Sequence, residues 1–254
     1  SSYSMASILV KFVASWALFC GVVLGEREWC DLKCNNYNGF HYVSHENTMC
    51  QYEERNTTVR GKPVVNVMTP KMKEDLLKMH NEFRNKLAGG GLEGWPTAAD
   101  MLELSWDDDL AKSAQRWASQ SQYAHDECRK TPNFESVGQN LAKEQTTGRF
   151  EKMDVSIARW TNEAKLASPD LVDKYQFDHG TGHFTQVSWA KTQKIGCGVV
   201  TYEKNDWNTK LLACNYGPAG NVITQRMYTR GAPCSACPEG TRCNPESNTP
   251  YLCA

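Results

Sequence analysis

Cysteine is the residue that most restricts how this chain can fold. The chain has eleven cysteines, and ten of them follow its N-terminal apolar segment. An even number of cysteines in an exported chain predicts a framework of disulfide bonds. The ten are Cys30, Cys34, Cys50, Cys128, Cys197, Cys214, Cys234, Cys237, Cys243 and Cys253.

The N-terminal segment indicates export. After the expected start at Met5, one basic residue, Lys11, precedes a largely apolar run of 13 residues that ends at Leu24. This is the anatomy of a signal peptide. A membrane anchor is the alternative, but a helix needs about 20 apolar residues to cross a bilayer. We therefore predict that residues 1–25 are leader and signal peptide, and that the mature protein is secreted and does not span a membrane.

The charge of the chain argues against nucleic acid as a partner. Without residues 1–25 the chain keeps 27 basic and 29 acidic residues, because Lys11 is the one charged residue removed. Proteins that bind nucleic acid need clustered positive charge to contact phosphates, and this sequence has no basic stripe. We expect a monomer that acts on an extracellular target, either protein or lipid.

Composition divides the mature chain into three zones. Residues 26–68 are polar and contain three cysteines, which predicts a disulfide-tethered arm with one N-glycosylation sequon at Asn56. Residues 69–228 have regular helix and strand patterns and should form the main domain. Residues 229–254 are rich in Cys, Pro and Gly, which predicts a small disulfide-rich module.

Helices are predicted in the first part of the main domain and strands in the second. Thr69 is a good N-cap and Pro70 suits the first helical position, so the first helix begins there. The periodicity predicts a second helix after Ser105 and a third over 154–167. Three strands are predicted, at 184–189, 195–202 and 210–216, with 203–209 as the loop between the last two. This order indicates an α+β layered domain.

Two long motifs contain the most specific information. The first is Gly-His-Phe-Thr-Gln-Val-Ser-Trp at 182–189, and the second runs over 211–222 and contains Cys-Asn-Tyr-Gly-Pro. Both resemble signature motifs of the CAP superfamily (cysteine-rich secretory, antigen 5 and pathogenesis-related 1 proteins). Residues 80–84 and 137–141 also match, and the segments 30–34 and 48–52 look closest to arthropod venom allergen 5-like proteins.

The resemblance implies a fold and a set of disulfides. The CAP domain is a three-layer α-β-α sandwich, here expected over residues 69–228, and residues 229–254 resemble the cysteine-rich hinge of cysteine-rich secretory proteins. The implied pairs are Cys30–Cys50, Cys34–Cys128, Cys197–Cys214, Cys234–Cys243 and Cys237–Cys253. A four-cysteine zinc site is the alternative for the hinge, although an oxidising compartment favours disulfides.

The family also has a cleft with two histidines and two acidic residues. The matching positions here are His125, His183, Glu163 and Gln139, where many relatives have Glu. Such a set can bind a divalent metal such as zinc, with His125 and His183 as ligands, or perform acid–base chemistry. A neutral Gln cannot act as a base and is a weak ligand. Three interpretations stay open: a remnant whose histidines make structural hydrogen bonds, a metal site, and a catalytic site.

The resemblance implies three alternative functions. The first is a non-enzymatic venom or salivary effector, which requires no cofactor and acts on a host or prey target. The second is a secreted protease or metal-dependent hydrolase that uses the His/Glu cleft. The third is a carrier of sterol or fatty acid. The sequence has no Gly-x-Ser-x-Gly elbow and no His-Glu-x-x-His motif, which favours the first.

Overall fold

The computed structural model describes residues 28–37, 42–53 and 57–254. The predicted signal peptide at 1–25 and the sequon residue Asn56 lie outside the described residues. Among the helices within them, none is long and apolar enough to cross a membrane.

A mostly antiparallel sheet of five strands forms the middle of the molecule. Its three long strands are β7 (Gly138–Thr146), β8 (Lys194–Lys204) and β9 (Trp207–Gly217), with β9 in the centre. Two short strands extend it by pairing with β8: β5 (Val65–Asn66) antiparallel and β6 (Ser105–Trp106) parallel. β7 is therefore an edge strand, which matters for the candidate site.

Helices cover both faces of this sheet. Helices α2 (Pro70–Ala88) and α4 (Met153–Asn162) bury a cluster that includes Leu76, Ile157 and Leu212 on one face. Helix α3 (Asp108–Ala118) buries Trp117, Val200 and Leu211 on the other face. Neighbouring strand residues point to opposite faces, so one sheet serves both layers. The predicted α+β class and the three-layer α-β-α sandwich are confirmed.

Two glycines allow α3 to lie directly on the sheet. A Cβ on Gly196 would lie 2.1 Å from the backbone nitrogen of Ala111, and a Cβ on Gly198 would lie 2.2 Å from the Cα of Gln115. No side chain fits at such distances, so these strand positions require glycine.

The first predicted helix begins at its predicted cap, Thr69, whereas the second begins later than predicted, because Ser105 and Trp106 form β6 and Asp107 is the cap. The Thr69 hydroxyl accepts a hydrogen bond from the Met72 N–H at 3.2 Å, and the Asp107 carboxylate accepts one from the Leu110 N–H at 2.9 Å. The third helix is shorter than predicted, because α4 ends at Asn162 and a 3₁₀ turn (Glu163–Lys165) follows. A second 3₁₀ turn spans Pro169–Val172.

The prediction of a strand at 184–189 is wrong. Residues Gly182–Val187 form helix α5 instead. The Glu163 carboxylate accepts hydrogen bonds from the N–H groups of His183 at 3.0 Å and Phe184 at 3.1 Å, and so caps the helix from another element. This tertiary contact satisfies N–H groups that a helix leaves unpaired at its N-terminus, and it overrides the local strand preference.

The strands also differ in extent from the prediction. β8 and β9 are joined by a tight turn at Asn205 and Asp206, which both have positive φ, so the loop predicted at 203–209 is shorter. The sequence did not predict β7 as a strand. It pairs with β9 along its whole length, with Gly138 opposite Tyr216 and Thr146 opposite Asn208.

The N-terminal arm consists of short elements joined to the main domain by a disulfide. They are β1 (Cys34–Tyr37), β2 (Tyr42–His45), α1 (Thr48–Gln51), β3 (Thr58–Val59) and β4 (Lys62–Pro63), with β1 paired to β2 and β3 to β4. The structure contains five disulfides, which join the same pairs that the resemblance implies: Cys30–Cys50, Cys34–Cys128, Cys197–Cys214, Cys234–Cys243 and Cys237–Cys253.

The cysteine-rich C-terminal segment packs against the main domain. The Cys253 N–H donates to the Met101 carbonyl at 2.8 Å, and the Cys253 carbonyl accepts from the Glu103 N–H at 2.9 Å. Leu252 is 1% exposed and belongs to the same buried cluster as Leu87 in α2. The segment therefore completes part of the core.

A buried arginine joins the elements around α5. Arg84 of α2 is fully buried and donates hydrogen bonds only to backbone carbonyls. The acceptors are Leu102, Val187, Trp189, Ala190 and Thr192. Burial lowers the pKa of Arg84 to about 9, so the guanidinium stays charged at neutral pH.

Candidate functional site

Two neighbouring residues at the start of β7 organise the candidate cleft. Gln139 and Asn140 point to opposite faces of the edge strand. Gln139 contacts His125, which lies on the α3 side, and Asn140 contacts His183, which lies on the α5 side. The motif residues that are far apart in sequence therefore meet across one sheet edge.

His183 is held firmly by Glu163. Its Nδ1 lies 2.6 Å from one carboxylate oxygen of Glu163, while the other oxygen caps α5. The imidazole stacks on Trp160, with ring centroids 5.8 Å apart and an angle of 12° between planes. Asn140 donates to the His183 carbonyl at 3.1 Å. Neighbouring elements therefore hold the ring and the backbone of His183 in place and fix its tautomer.

His125 is held by Gln139 instead of a carboxylate. The Nδ1 of His125 lies 2.8 Å from the Gln139 side-chain oxygen, so Nδ1 carries the proton and donates it. Partial burial and the nearby Arg129 and His183 lower the pKa of His125, against the raising effect of Gln139 and Asp126. The neutral imidazole is therefore favoured near pH 7.

The Gln139 amide is itself committed to two acceptors. Its NH₂ group donates to Asp126 Oδ1 and Asn215 Oδ1, both at 3.0 Å, and the side chain is 9% exposed. Asp126 also accepts from Thr48 Oγ1 and Arg129 Nε, both at 2.5 Å. A glutamate at position 139 would place a second carboxylate against buried Asp126, so an amide fits this site better than the acid of many relatives.

The four cleft residues therefore divide into two roles. Gln139 and Glu163 orient the imidazoles by accepting hydrogen bonds from their Nδ1 atoms. Neither residue has a free group to act as a ligand in this arrangement. The Nε2 atoms of His125 and His183 make no hydrogen bond within the described part of the chain, so they are the atoms available for chemistry. A neutral imidazole whose Nδ1–H is already bound presents its Nε2 lone pair to a metal or a proton.

A buried network behind His183 was not predicted from the sequence. Asn140 donates to the Tyr216 hydroxyl at 3.3 Å, and that hydroxyl lies 2.9 Å from Nε2 of His80. Nδ1 of His80 lies 2.7 Å from the Leu76 carbonyl. Burial raises the pKa of Tyr216 and lowers the pKa of His80 to about 4, so both groups are neutral. In the sequence, the helical spacing of His80 predicted only that this residue lies on the apolar face of the first helix.

The hinge cysteines are the one group of three or more metal-ligand side chains that come together within the described residues. Sγ atoms of Cys234, Cys237 and Cys243 lie within 4.8 Å of one another. All three are in disulfides, so none is a thiolate that could bind zinc.

Comparison with known proteins agrees with this architecture. The family model described as CAP, the cysteine-rich secretory protein family, matches residues 77–216. This chain belongs to the CAP family. The match contains all four cleft residues, the first signature motif and the part of the second motif that lies at 211–216.

Relatives of this CAP protein include proteins named for venom. A protein named venom allergen 5 from Vespula vidua is 40% identical over 210 residues, which cover 80% of this chain and 98% of the relative. A cysteine-rich venom protein from Tityus serrulatus is 40% identical over 220 residues, which cover 84% of this chain and 52% of the relative.

Solved structures support the same fold. A crystal structure of NaASP2 with Zn²⁺ is 28% identical, with a TM-score of 0.57, and covers 74% of this chain and 97% of that chain. The structure of BmVAL-1 is 29% identical, with a TM-score of 0.57, and covers 74% of this chain and 95% of that chain.

Proposed function

We propose that this CAP protein is a secreted effector that acts on an extracellular target without catalysing a reaction. Its relatives named venom allergen 5 and cysteine-rich venom protein support this proposal. The five disulfides fit an oxidising, extracellular compartment.

The hydrogen bonds of Gln139 are the observation that carries the proposal. The Nε2 atoms of both histidines remain able to take a proton, so the difference from an acid–base site lies in the two partners that would supply carboxylate bases for hydrolysis of a peptide. The Gln139 amide cannot take a proton, and its oxygen and nitrogen are both engaged. Glu163 already accepts from His183 and caps α5, so using it as a base would disrupt the N-terminus of α5.

A protease assay tests the proposal against its enzymatic alternative. We expect the purified protein to cleave a broad peptide library no faster than its His183→Ala variant does. The effector proposal is wrong if the wild type cleaves, and if His183→Ala abolishes cleavage without lowering the melting temperature. His179→Ala is the matched control, because His179 is exposed and lies outside the cleft.

Zinc binding is a second candidate function, and the two Nε2 atoms favour it. Each histidine already donates its Nδ1 proton, which leaves Nε2 as the ligand atom that zinc prefers. NaASP2, which has the same fold, has a crystal structure with Zn²⁺. A zinc ion would be held by His125 and His183, with the remaining positions left for water or for a partner, where it would act as a Lewis acid or a bridge.

Calorimetry with zinc tests this second proposal. We expect heat of binding for the wild type and for His179→Ala, and none for His125→Ala or His183→Ala. Equal heats for the wild type and His125→Ala would remove the cleft from consideration as a metal site. The third alternative, a sterol or fatty-acid carrier, fails if native protein yields no lipid on organic extraction and takes up none afterwards.

A further inference from the structure

A groove of about 340 Å³ lies on the α3 face of the sheet, beyond the end of that helix. Its volume is at the small end of the range for ligand sites in proteins. Lys143 of β7 is four residues from Gln139, which is about 13 Å along a strand, so this groove is separate from the histidine cleft. The part of the sheet that α3 leaves uncovered forms its base.

Two exposed aromatic rings line the groove. Tyr123 is 53% exposed and Trp207 is 46% exposed. Tyr123 lies in the segment after α3, and Trp207 is the first residue of β9. Aromatic rings of this size are usually buried, and paired exposed rings beside polar groups are typical of binding sites.

Two lysines stand beside these rings. Lys143 Nζ lies 5.0 Å from the centroid of the Tyr123 ring, in a cation–π contact. Lys204 lies on β8 opposite Trp207 in the strand register. Neither lysine forms an ion pair with another residue in the described ranges of the chain, so both charges are available to a ligand.

Carboxylates do not neutralise this groove. No Asp or Glu is among its lining residues. The adjacent strand residues Glu144 and Glu203 form ion pairs with Lys210 and Lys62, respectively. Asp206, between the lining residues Asn205 and Trp207, has no ion pair among the described residues. Two lysines therefore face one unpaired neighbouring carboxylate, and the local field at the groove favours an anion.

The base of the groove is rigid and offers amide groups. Tyr202 donates its hydroxyl to the Ser121 carbonyl at 3.3 Å, which joins β8 to the segment after α3. Gln145 and Asn205 also line the groove and present side-chain amides that can donate and accept hydrogen bonds. Backbone groups between β7, β9 and β8 are used in the sheet, so a ligand at the base of the groove meets side chains rather than free backbone groups.

We propose that this groove binds an anionic saccharide, with sulfate or carboxylate substituents. The apolar face of a sugar ring stacks on Trp207 or Tyr123, and the anionic substituents contact Lys143 and Lys204. The amides bind hydroxyl groups. A groove of this volume fits a monosaccharide or disaccharide unit of a longer extracellular chain.

Calorimetry with a sulfated disaccharide derived from heparin tests the proposal, with its desulfated counterpart as the control ligand. We expect the wild type to bind the sulfated form, more weakly as salt increases, and not to bind the desulfated form. The double variant Lys143→Gln/Lys204→Gln should weaken binding about tenfold, the loss expected for two exposed charge contacts. Trp207→Ala should weaken binding by a similar factor, because a stacking surface is lost.

Matched variants separate this site from general attraction between charges. Lys165→Gln/Lys191→Gln removes the same charge from two exposed lysines outside the groove and should leave affinity unchanged. Unchanged melting temperatures for all variants would show that loss of binding is not loss of folding. The proposal is overturned if the control pair weakens binding equally, if the wild type does not bind the sulfated form at low salt, or if an acidic sulfotyrosine peptide binds at least as tightly.

Discussion

Acidification should destabilise this protein through His80, a fully buried residue. The folded protein lowers the pKa of His80 to about 4, from an ordinary value of 6.5. Between these two values the unfolded chain binds a proton that the folded chain does not. The contribution of neutral His80 to the free energy of unfolding is therefore complete above pH 6.5 and is lost as the pH falls toward 4.

The size of the effect follows from the same two values. A pKa difference is worth about 1.4 kcal/mol per pH unit, so the interval from 6.5 to about 4 corresponds to a loss of about 3 kcal/mol. The physical cause is burial, and the positive charge of Arg84 adds to it, against the raising effect of the hydrogen bond to Leu76. Both ring nitrogens are already used, by Leu76 and Tyr216, in the neutral form.

Urea denaturation at several pH values between 7 and 4, with the disulfides intact, measures this loss. The variant His80→Gln keeps an amide for the two hydrogen bonds but cannot titrate. We expect it to be less stable at pH 7 and to lose much less stability on acidification; the remainder comes partly from His125, whose pKa is also lowered. The exposed control His179→Gln should show the wild-type slope. If His80→Gln loses as much stability as the wild type, the reasoning is refuted.

Three further substitutions test the packing described above, each by urea or thermal unfolding. Gly198→Ala should cost about 2 kcal/mol or more, because its Cβ would meet the α3 backbone at 2.2 Å, whereas Gly148→Ala, with its nearest atom at 3.7 Å, should be neutral. Arg84→Met should cost about 3 kcal/mol or more, since it leaves several buried carbonyls without donors, and a cost below about 1 kcal/mol would contradict that role. Glu163→Gln should cost about 2 kcal/mol, as the charge-assisted bonds to His183 and to the α5 N-terminus weaken; equal stability would show that the cap contributes nothing.

Local signals in the sequence predicted the start of α2 correctly and placed the start of α3 slightly too early, at Trp106 instead of Asp108. Thr69 and Asp107 cap helices through contacts within one turn, so their effect can be read from the neighbouring residues. Strand β7 could not be found in this way, since its pairing with β9 depends on residues far along the chain. Helix α5 was mistaken for a strand because its cap, Glu163, lies 20 residues from His183.

The cleft, too, could be predicted from the sequence only in part, because some of its contacts join residues far apart in the chain. Resemblance to a family located His125, Gln139, Glu163 and His183, and the structure brings them to one sheet edge. Sequence could not show why a Gln stands at 139, because the reason lies partly in Asn215, 76 residues away. The sequence alone led us to interpret Gln139 as a weakened ligand. In the structure its amide belongs to a hydrogen-bond network that orients His125.

The position of Leu252 has a consequence for how the protein is made in the cell. Leu252 belongs to a buried cluster whose other members lie between Leu87 and Tyr228. A ribosome releases Leu252 after all of them, so this cluster stays incomplete while the rest of the domain has already been translated. Until that residue docks and Cys253 pairs with Cys237, an apolar surface beside α2 remains exposed. This cluster is therefore completed only once the chain has been translated as far as Cys253, and the period before docking is when these residues most need chaperones and oxidising enzymes.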